Sequence, residues 1–513
     1  MRIFSYKNWL FYLLIIGLLS FLSFYPAFNF SFIIDDWYQL WGVFYDHSII
    51  EHYIKSQAPN VAYEFLILAP IFKFNPFYYQ IVGYFLKIID SVFTSLLIYT
   101  LTSSKKAAFY AGLIFAASAI GTETFTRISA QNSALLIPTI ILGIIFWIQA
   151  DRHINFSYKY ILAILFIILS IIGYPGTGII IIPVIFLYQV LNLIQLPSQR
   201  KWKRSLITIA GLGLPLAALR WYMEPMLADR SINLSKHILF SLSHPFYVVT
   251  NFLTSIGNLI LGWFIHFDES YISLTSSNFL TQIAGYILIV LIFLTGFNFF
   301  HKKSEFTKIV LFFLFWIILF FFPSFFTQTH YVEGGIISSV SNRYLAISSI
   351  GFISLIAYLI SYIKPKYQLI TLLLIIGLNI WTSEHGLITS SIYRSQTQQD
   401  YLYNLIDQDL PKGDEKTDLL LFLGSDWLKI IELDWNGFYP LAVKRNIKKT
   451  DDFPTIISSI EQAKNMLCST NPKFKLTRFY SWEFRNNLLY NVTDKVRQII
   501  HADKECQMLI SKE

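Results

Sequence analysis

Two adjacent carboxylates, Asp35 and Asp36, follow Ile33-Ile34 and precede Trp37 at the exit of the first apolar run. Ionisable groups at the edge of hydrocarbon are expensive unless paired, solvated or used, so such a pair is a functional candidate by default. Like charges this close push one pKa upward, which yields a carboxylate able to accept a proton during reaction. The same dipeptide also suits a helix start, because Asp caps well and a carboxylate favours the positive helix end. Both readings stay open on residue type. Glu123 and Arg127 stand four apart, so on a helix they face the same way and form a structural ion pair or line a site. His47, His52, His244, His266 and His330 have no spacing that makes a metal set.

The elements that must position these groups follow from composition. The chain has 513 residues, of which 54% are hydrophobic, 18% aromatic and only 14% charged. That is more apolar surface than a soluble core can hide, which makes this a mainly α, polytopic membrane protein. The net charge of +8 lies in short clusters between apolar runs and on no amphipathic face, which argues for topology and against nucleic acid. The opening run, residues 9–28, is long enough to span, lacks a small-residue cleavage motif and reads as a retained anchor.

Residues 29–60 form a polar and aromatic outer loop, in which Trp37, Tyr38, Trp41 and Tyr45 recur at helical spacing, as in a helix lying in the interface. Apolar runs follow at about 78–101, 107–121, 132–150, 160–173, 177–194, 205–220, 279–300, 306–326, 344–363 and 367–383. Lys105-Lys106, Arg152 with Lys159, the 200–204 cluster, His301-Lys302-Lys303 and Lys364-Pro365-Lys366 all fall on one side, the cytoplasm, if 248–267 does not cross. Thr250, Asn251, Thr254, Gly257 and Asn258 interrupt that run and favour a re-entrant or interfacial element. The expectation is roughly eleven spans with the N-terminus inside and the C-terminus outside.

The membrane domain is expected over residues 1–390. A small extracytoplasmic α/β domain is expected over 391–513, where charge rises before the strand-like stretch 419–423. Both cysteines, Cys468 and Cys506, lie in that domain. An oxidising compartment favours a disulfide between them, with two free thiols as the alternative.

An acidic pair in the first outer loop followed by many spans resembles the C-type (GT-C) glycosyltransferase superfamily. Residues 74–82, Phe-Asn-Pro-Phe-Tyr-Tyr-Gln-Ile-Val, are similar to the Asn-Pro-aromatic turn that leads into the second span in bacterial members and in tetratricopeptide-carrying O-mannosyltransferases. Residues 123–132 look like the outer turn between spans three and four, and 341–351, with Arg343-Tyr344-Leu345, like the Arg-Tyr-Leu stretch opening a late span. One departure stands out. Many relatives carry a Lys-Glu pair before the sixth span, where this chain has Gly173-Tyr174-Pro175-Gly176-Thr177-Gly178; the Gly and Pro content also reads as span punctuation.

The resemblance implies transfer of a sugar from a polyprenyl-phosphate donor to a protein or glycan acceptor at the extracytoplasmic face, commonly with inversion. It assigns Asp35 as the general base and Asp36 as its partner, in either order. Arg343 with Tyr344 would bind the donor phosphate, a guanidinium being able to hold phosphate oxygens bidentately; a snorkelling Arg is the plainer reading. Glu123 and Arg127 would line the same outward-facing site. No cofactor is assigned with certainty; some relatives use a divalent cation near the acidic pair and others do not, so Mg or Mn stays open. The location implied is a bacterial plasma membrane in preference to the endoplasmic reticulum. Competing classes are a transporter or lipid flippase, for which Asp90 inside a span is the main support, and a polysaccharide polymerase or ligase.

Overall fold

The computed structural model describes residues 6–32, 35–56, 59–152, 157–195, 209–213, 215–217, 243–262, 279–332, 335–338, 345–389, 402–413, 415–424, 438–468, 474–485, 488–503 and 506. In chain order its helices are α1 (Tyr6–Phe24), α2 (Asp35–Phe44), α3 (His47–Ser56), α4 (Pro59–Phe72), α5 (Pro76–Thr102), α6 (Lys105–Ala117), α7 (Glu123–Thr126), α8 (Gln131–Asp151), α9 (Tyr158–Gly173), α10 (Pro175–Gly178) and α11 (Ile181–Gln195). They continue as α12 (Pro245–Leu261), α13 (Phe279–Lys302), α14 (Glu305–Gln328), α15 (Ala346–Ile360) and α16 (Pro365–Thr389). A hairpin, β1 (Thr329–Val332) and β2 (Gly335–Ser338), stands between α14 and α15.

Two compact units emerge. The first comprises Met1–Phe28, Tyr53–Glu64 and Tyr78–Ser390; the second comprises Asn29–His52, Phe65–Phe77 and Ser391–Glu513. Among the described residues seven helices are long and apolar enough to cross a membrane: Trp9–Asn29, Pro76–Thr102, Ile128–Asp151, Gly176–Gln195, Leu280–Lys302, Glu305–Phe322 and Pro365–Ile388. Four shorter apolar helices accompany them: Pro59–Phe72, Tyr158–Gly173, Val248–Leu261 and Ala346–Ile360. Of the expected run 205–220, residues 209–213 and 215–217 are helical and the other half lies outside the described residues.

Local chemistry explains where these helices begin. Asn75 Oδ1 accepts the Phe77 amide at 3.2 Å, and Pro76, with no amide hydrogen to satisfy, opens α5. Ser104 Oγ caps α6 through the Ala107 amide at 3.2 Å. The run around 248–258 is a continuous helix, in which Thr250 and Thr254 turn their hydroxyls back to the carbonyls of Phe246 and Thr250 and the glycine serves a helix contact. A Cβ at Gly257 would stand 1.8 Å from the Thr281 carbonyl oxygen, and one at Gly285 would stand 2.2 Å from that of Leu253. These pairs run in opposite directions, so α12 and α13 pack antiparallel at a spacing that only small residues permit. Glycines act similarly at 173–178: a Cβ on Gly178 would lie 2.0 Å from the Ser170 carbonyl oxygen, and one on Gly173 would lie 2.7 Å from the Asn60 amide.

The second unit contains α2 and the first residues of α3, joined at a turn where Asp46 Oδ1 accepts both the Ser48 amide at 3.1 Å and its hydroxyl at 2.6 Å. Its C-terminal part adds a helix α17 over 402–409, β3 (Leu419–Leu423), α18 (Tyr439–Arg445), β4 (Thr455–Ile457), α19 (Ile460–Leu467), β5 (Phe479–Arg485), β6 (Leu488–Asn491) and α20 (Thr493–His501). The sheet order is β4-β3-β5-β6, parallel across β4-β3-β5 and antiparallel at β5-β6. Central β3 reads Leu-Leu-Leu-Phe-Leu because a strand between two parallel neighbours is apolar on both faces. Leu419, Leu421, Ile457, Ala463, Leu467, Val496 and Ile500 form one core. Cys468 and Cys506 are disulfide-bonded with Cα atoms 4.9 Å apart. The Arg445 side chain, 1% exposed, donates to Asp407 Oδ1 at 2.6 Å and to the carbonyls of Asp407, Leu410 and Pro411. That fork ties α18 to the end of α17.

Candidate active site

Asp35 and Asp36 are the first two residues of α2. Helix N-termini carry unsatisfied amides and the positive dipole end, so the helix itself favours carboxylates here. Asp36 is wholly buried; the Asp35 side chain lies outside the described residues. α2 is oriented by tryptophans. Trp37 Nε1 donates to the Phe32 carbonyl at 3.1 Å, with the Phe32 ring edge-on at 5.0 Å. Trp41 Nε1 donates to the Ile447 carbonyl at 2.8 Å, and its ring meets Tyr439 at 5.4 Å and Phe453 at 5.5 Å. The expectation of an interfacial helix is therefore corrected. Trp37 and Trp41 are 3% and 0% exposed and pack into protein, because buried indole N–H groups find carbonyl partners there. Burial beside Tyr38 and Asp46 pushes the Tyr439 hydroxyl up to about 12.

Glu123 and Arg127 come together in the first unit. Arg127 Nη1 lies 3.7 Å from Glu123 Oε1, and Arg127 Nε donates to Ser129 Oγ at 3.3 Å. Both residues are buried, on a turn between α6 and α8 that is fixed from several sides. Gln80 Nε2 donates to the Thr126 carbonyl at 2.8 Å, while Gln131 Nε2 bridges the carbonyls of Tyr79 and Phe125 at 3.1 and 2.9 Å. Lys87 Nζ donates to Ser23 Oγ at 2.7 Å and to the Ser118 carbonyl at 3.2 Å, and that carbonyl also takes the Thr122 hydroxyl at 2.9 Å. Asn379 Oδ1 receives the Ala119 amide at 3.2 Å. Gly121 adopts φ +80, where a Cβ would stand 2.6 Å from Ala346 Cα. Only glycine allows both that conformation and that approach.

Arg343 and Tyr344 lie outside the described residues. Ala346, which opens α15, abuts Gly121 two positions before Glu123. Among the described residues no group of three or more His, Cys, Asp or Glu side chains could hold a metal ion. Sequence reasoning passed over Glu64 and Lys87, buried charged residues inside the apolar helices α4 and α5; a charge within an apolar run was the available signal. Asp90, which it did note, is wholly buried and its carboxylate oxygens accept no hydrogen bond from the described groups.

A cavity of about 250 Å³ is lined by Asp151, Arg152, Asn192 and Lys308. It lies at the far end of α8 from the Glu123 turn, about 30 Å along a helix of 21 residues. It therefore has no part in the chemistry of that turn.

No family model matches this sequence, and no curated protein matches it either. Solved structures do. The chain is similar to the archaeal oligosaccharyltransferase AglB from Archaeoglobus fulgidus, in complex with an inhibitory peptide and a dolichol-phosphate. That alignment has a TM-score of 0.50 and 12% identity, over 93% of this chain and 70% of that one. ArnT from Cupriavidus metallidurans, bound to undecaprenyl phosphate, aligns with a TM-score of 0.49 and 9% identity over 93% of each chain. The AglB alignment shows a shared fold, and it agrees with the GT-C resemblance of the acidic pair and of the Asn-Pro and Arg-Tyr-Leu stretches.

Proposed function

We propose that this protein transfers a sugar from a polyprenyl-phosphate-linked donor to a protein or glycan acceptor at the extracytoplasmic face of its membrane. The observation that carries the reading is the fold likeness to AglB, whose complex holds a peptide and a dolichol-phosphate, joined to an acidic pair opening α2. In the reaction the acceptor oxygen bonds to the anomeric carbon while the bond from that carbon to the phosphate oxygen breaks. The acceptor proton passes to a carboxylate, and the leaving polyprenyl phosphate keeps the electron pair as an anion. Attack opposite the leaving group inverts the anomeric centre.

Asp35 is assigned as base and Asp36 as its orienting partner. Arg343 with Tyr344 is assigned to the departing phosphate, because a guanidinium stays charged and grips two oxygens at once. Glu123 and Arg127 line the site as a fixed pair. A bacterial plasma membrane, with the C-terminal domain outside, is the setting proposed.

The test supplies radiolabelled polyprenyl-phosphate sugar to membranes carrying wild type, Asp35→Asn, Asp36→Asn or Arg343→Gln. Loss of a general base lowers transfer by about 10²–10⁴-fold, so one Asp variant is expected to fall in that range. Undiminished transfer by both Asp variants would remove the base. A second reading, lipid translocation, draws on the buried Asp90. It predicts that labelled lipid crosses the bilayer with its sugar still attached.

A further inference from the structure

Residues Asn29–His52 and the C-terminal residues from Ser391 belong to one compact unit. Within it α2 packs on α18. A helix of 10 residues is marginal in water, so α2 depends on tertiary contacts for its shape and direction. The contact set is specific. Trp41 Nε1 donates to the Ile447 carbonyl just past α18, a bond across 406 positions of sequence. Its ring lies among Tyr439 and Phe453, Tyr439 also meets Tyr38 edge-on at 4.9 Å, and Phe438 closes on Phe453 at 5.1 Å. Trp41 itself is fully buried. α18 is held in turn by Arg445, whose guanidinium clasps the end of α17.

We infer that Trp41 is a positioning residue: it fixes α2, and with it the Asp35-Asp36 turn, to the C-terminal domain, which makes that domain a part of the base's mounting. The inference rests on the reading of Asp35 or Asp36 as base. Trp41 lies five positions beyond Asp36, about 7.5 Å along a helix, so rotation at the indole is transmitted to the carboxylates. A displacement of about 1 Å at a reacting group is enough for roughly a 10²-fold loss of rate.

The experiment uses the full-length protein in membranes and measures kcat and donor KM for wild type, Trp41→Phe, Trp41→Ala, Ile500→Ala, Asp35→Asn and Asp36→Asn. Trp41→Phe keeps an aromatic ring and removes only the N–H. It is expected to lower kcat severalfold with donor KM unchanged, and Trp41→Ala to lower kcat by about 10²-fold. Ile500 belongs to the separate core under β3. Its truncation is expected to lower the melting temperature while kcat below the melt stays within twofold. Mass spectrometry of the Cys468–Cys506 peptide reports whether each variant has folded its C-terminal domain. If Asp35→Asn loses transfer while folded Trp41→Ala keeps full kcat, the positioning role is overturned and the base assignment stands. If both Asp variants keep full kcat, the base assignment fails first, and the inference with it. A kcat deficit in Ile500→Ala equal to that in Trp41→Ala would reduce the effect to stability and overturn the inference.

Discussion

Full enclosure and a neighbouring guanidinium pull Asp418 in opposite directions. Its side chain is 0% exposed, and Arg478 Nε stands 2.6 Å from its Oδ1. Burial prevails over Arg478 and Arg445 and pushes the carboxyl up to about 6. An acid whose folded pKa exceeds its unfolded value binds more protons when folded, so its contribution to stability is complete below about pH 4 and is lost as pH rises through about 6. The effect is on the order of 2–3 kcal/mol. Thermal melts of the detergent-solubilised protein should therefore show a decline between pH 4 and 7 that Asp418→Asn flattens. At this scale the sequence was uneven to read. The Glu123–Arg127 pairing follows from a spacing of four residues, whereas nothing local announces that Asp418 meets Arg478.

At the scale of elements, contact distance decides which glycines are replaceable. A Cβ on Gly83 would stand 2.1 Å from the Phe125 carbonyl oxygen and 2.6 Å from Gln131 Nε2, so α5 touches the Glu123 turn backbone to backbone. Gly83→Ala is expected to destabilise by about 1–3 kcal/mol and to lower the melting temperature. Gly213, with no described atom within 4 Å of its Cβ position, should tolerate the same change with little shift. Long apolar helices such as α5, α8 and α13 were legible because twenty apolar residues have few other uses. α12 was harder: Gly257 and its polar neighbours look like interruptions until Thr281 is seen against them. α4 went uncounted because Glu64 and Pro70 break its apolar run.

For the molecule as a whole, the disulfide and the shared second unit set the conditions of folding. Cys468 and Cys506 close a loop across 38 positions, for which chain entropy gives about 4 kcal/mol, with measured values commonly about 2–4. Cys468→Ser or Cys506→Ser should lower the stability of the C-terminal domain by that amount, read as earlier proteolytic release of 391–513 on warming. With only two cysteines in the chain, the pairing followed in the sequence from the expectation of an oxidising compartment, with two free thiols as the alternative. The joining of α2 to α18 was not, since Trp41 and Ile447 carry no mark of each other in a single sequence.

That joining imposes a timetable. About 340 residues separate His52 from Ser391, and at about 5–20 residues per second a ribosome needs on the order of half a minute to deliver them. Through that interval the newborn α2 waits without the indole's eventual partner, so under the proposed function a chain still being translated stays silent until the residues beyond Ser391 have been made.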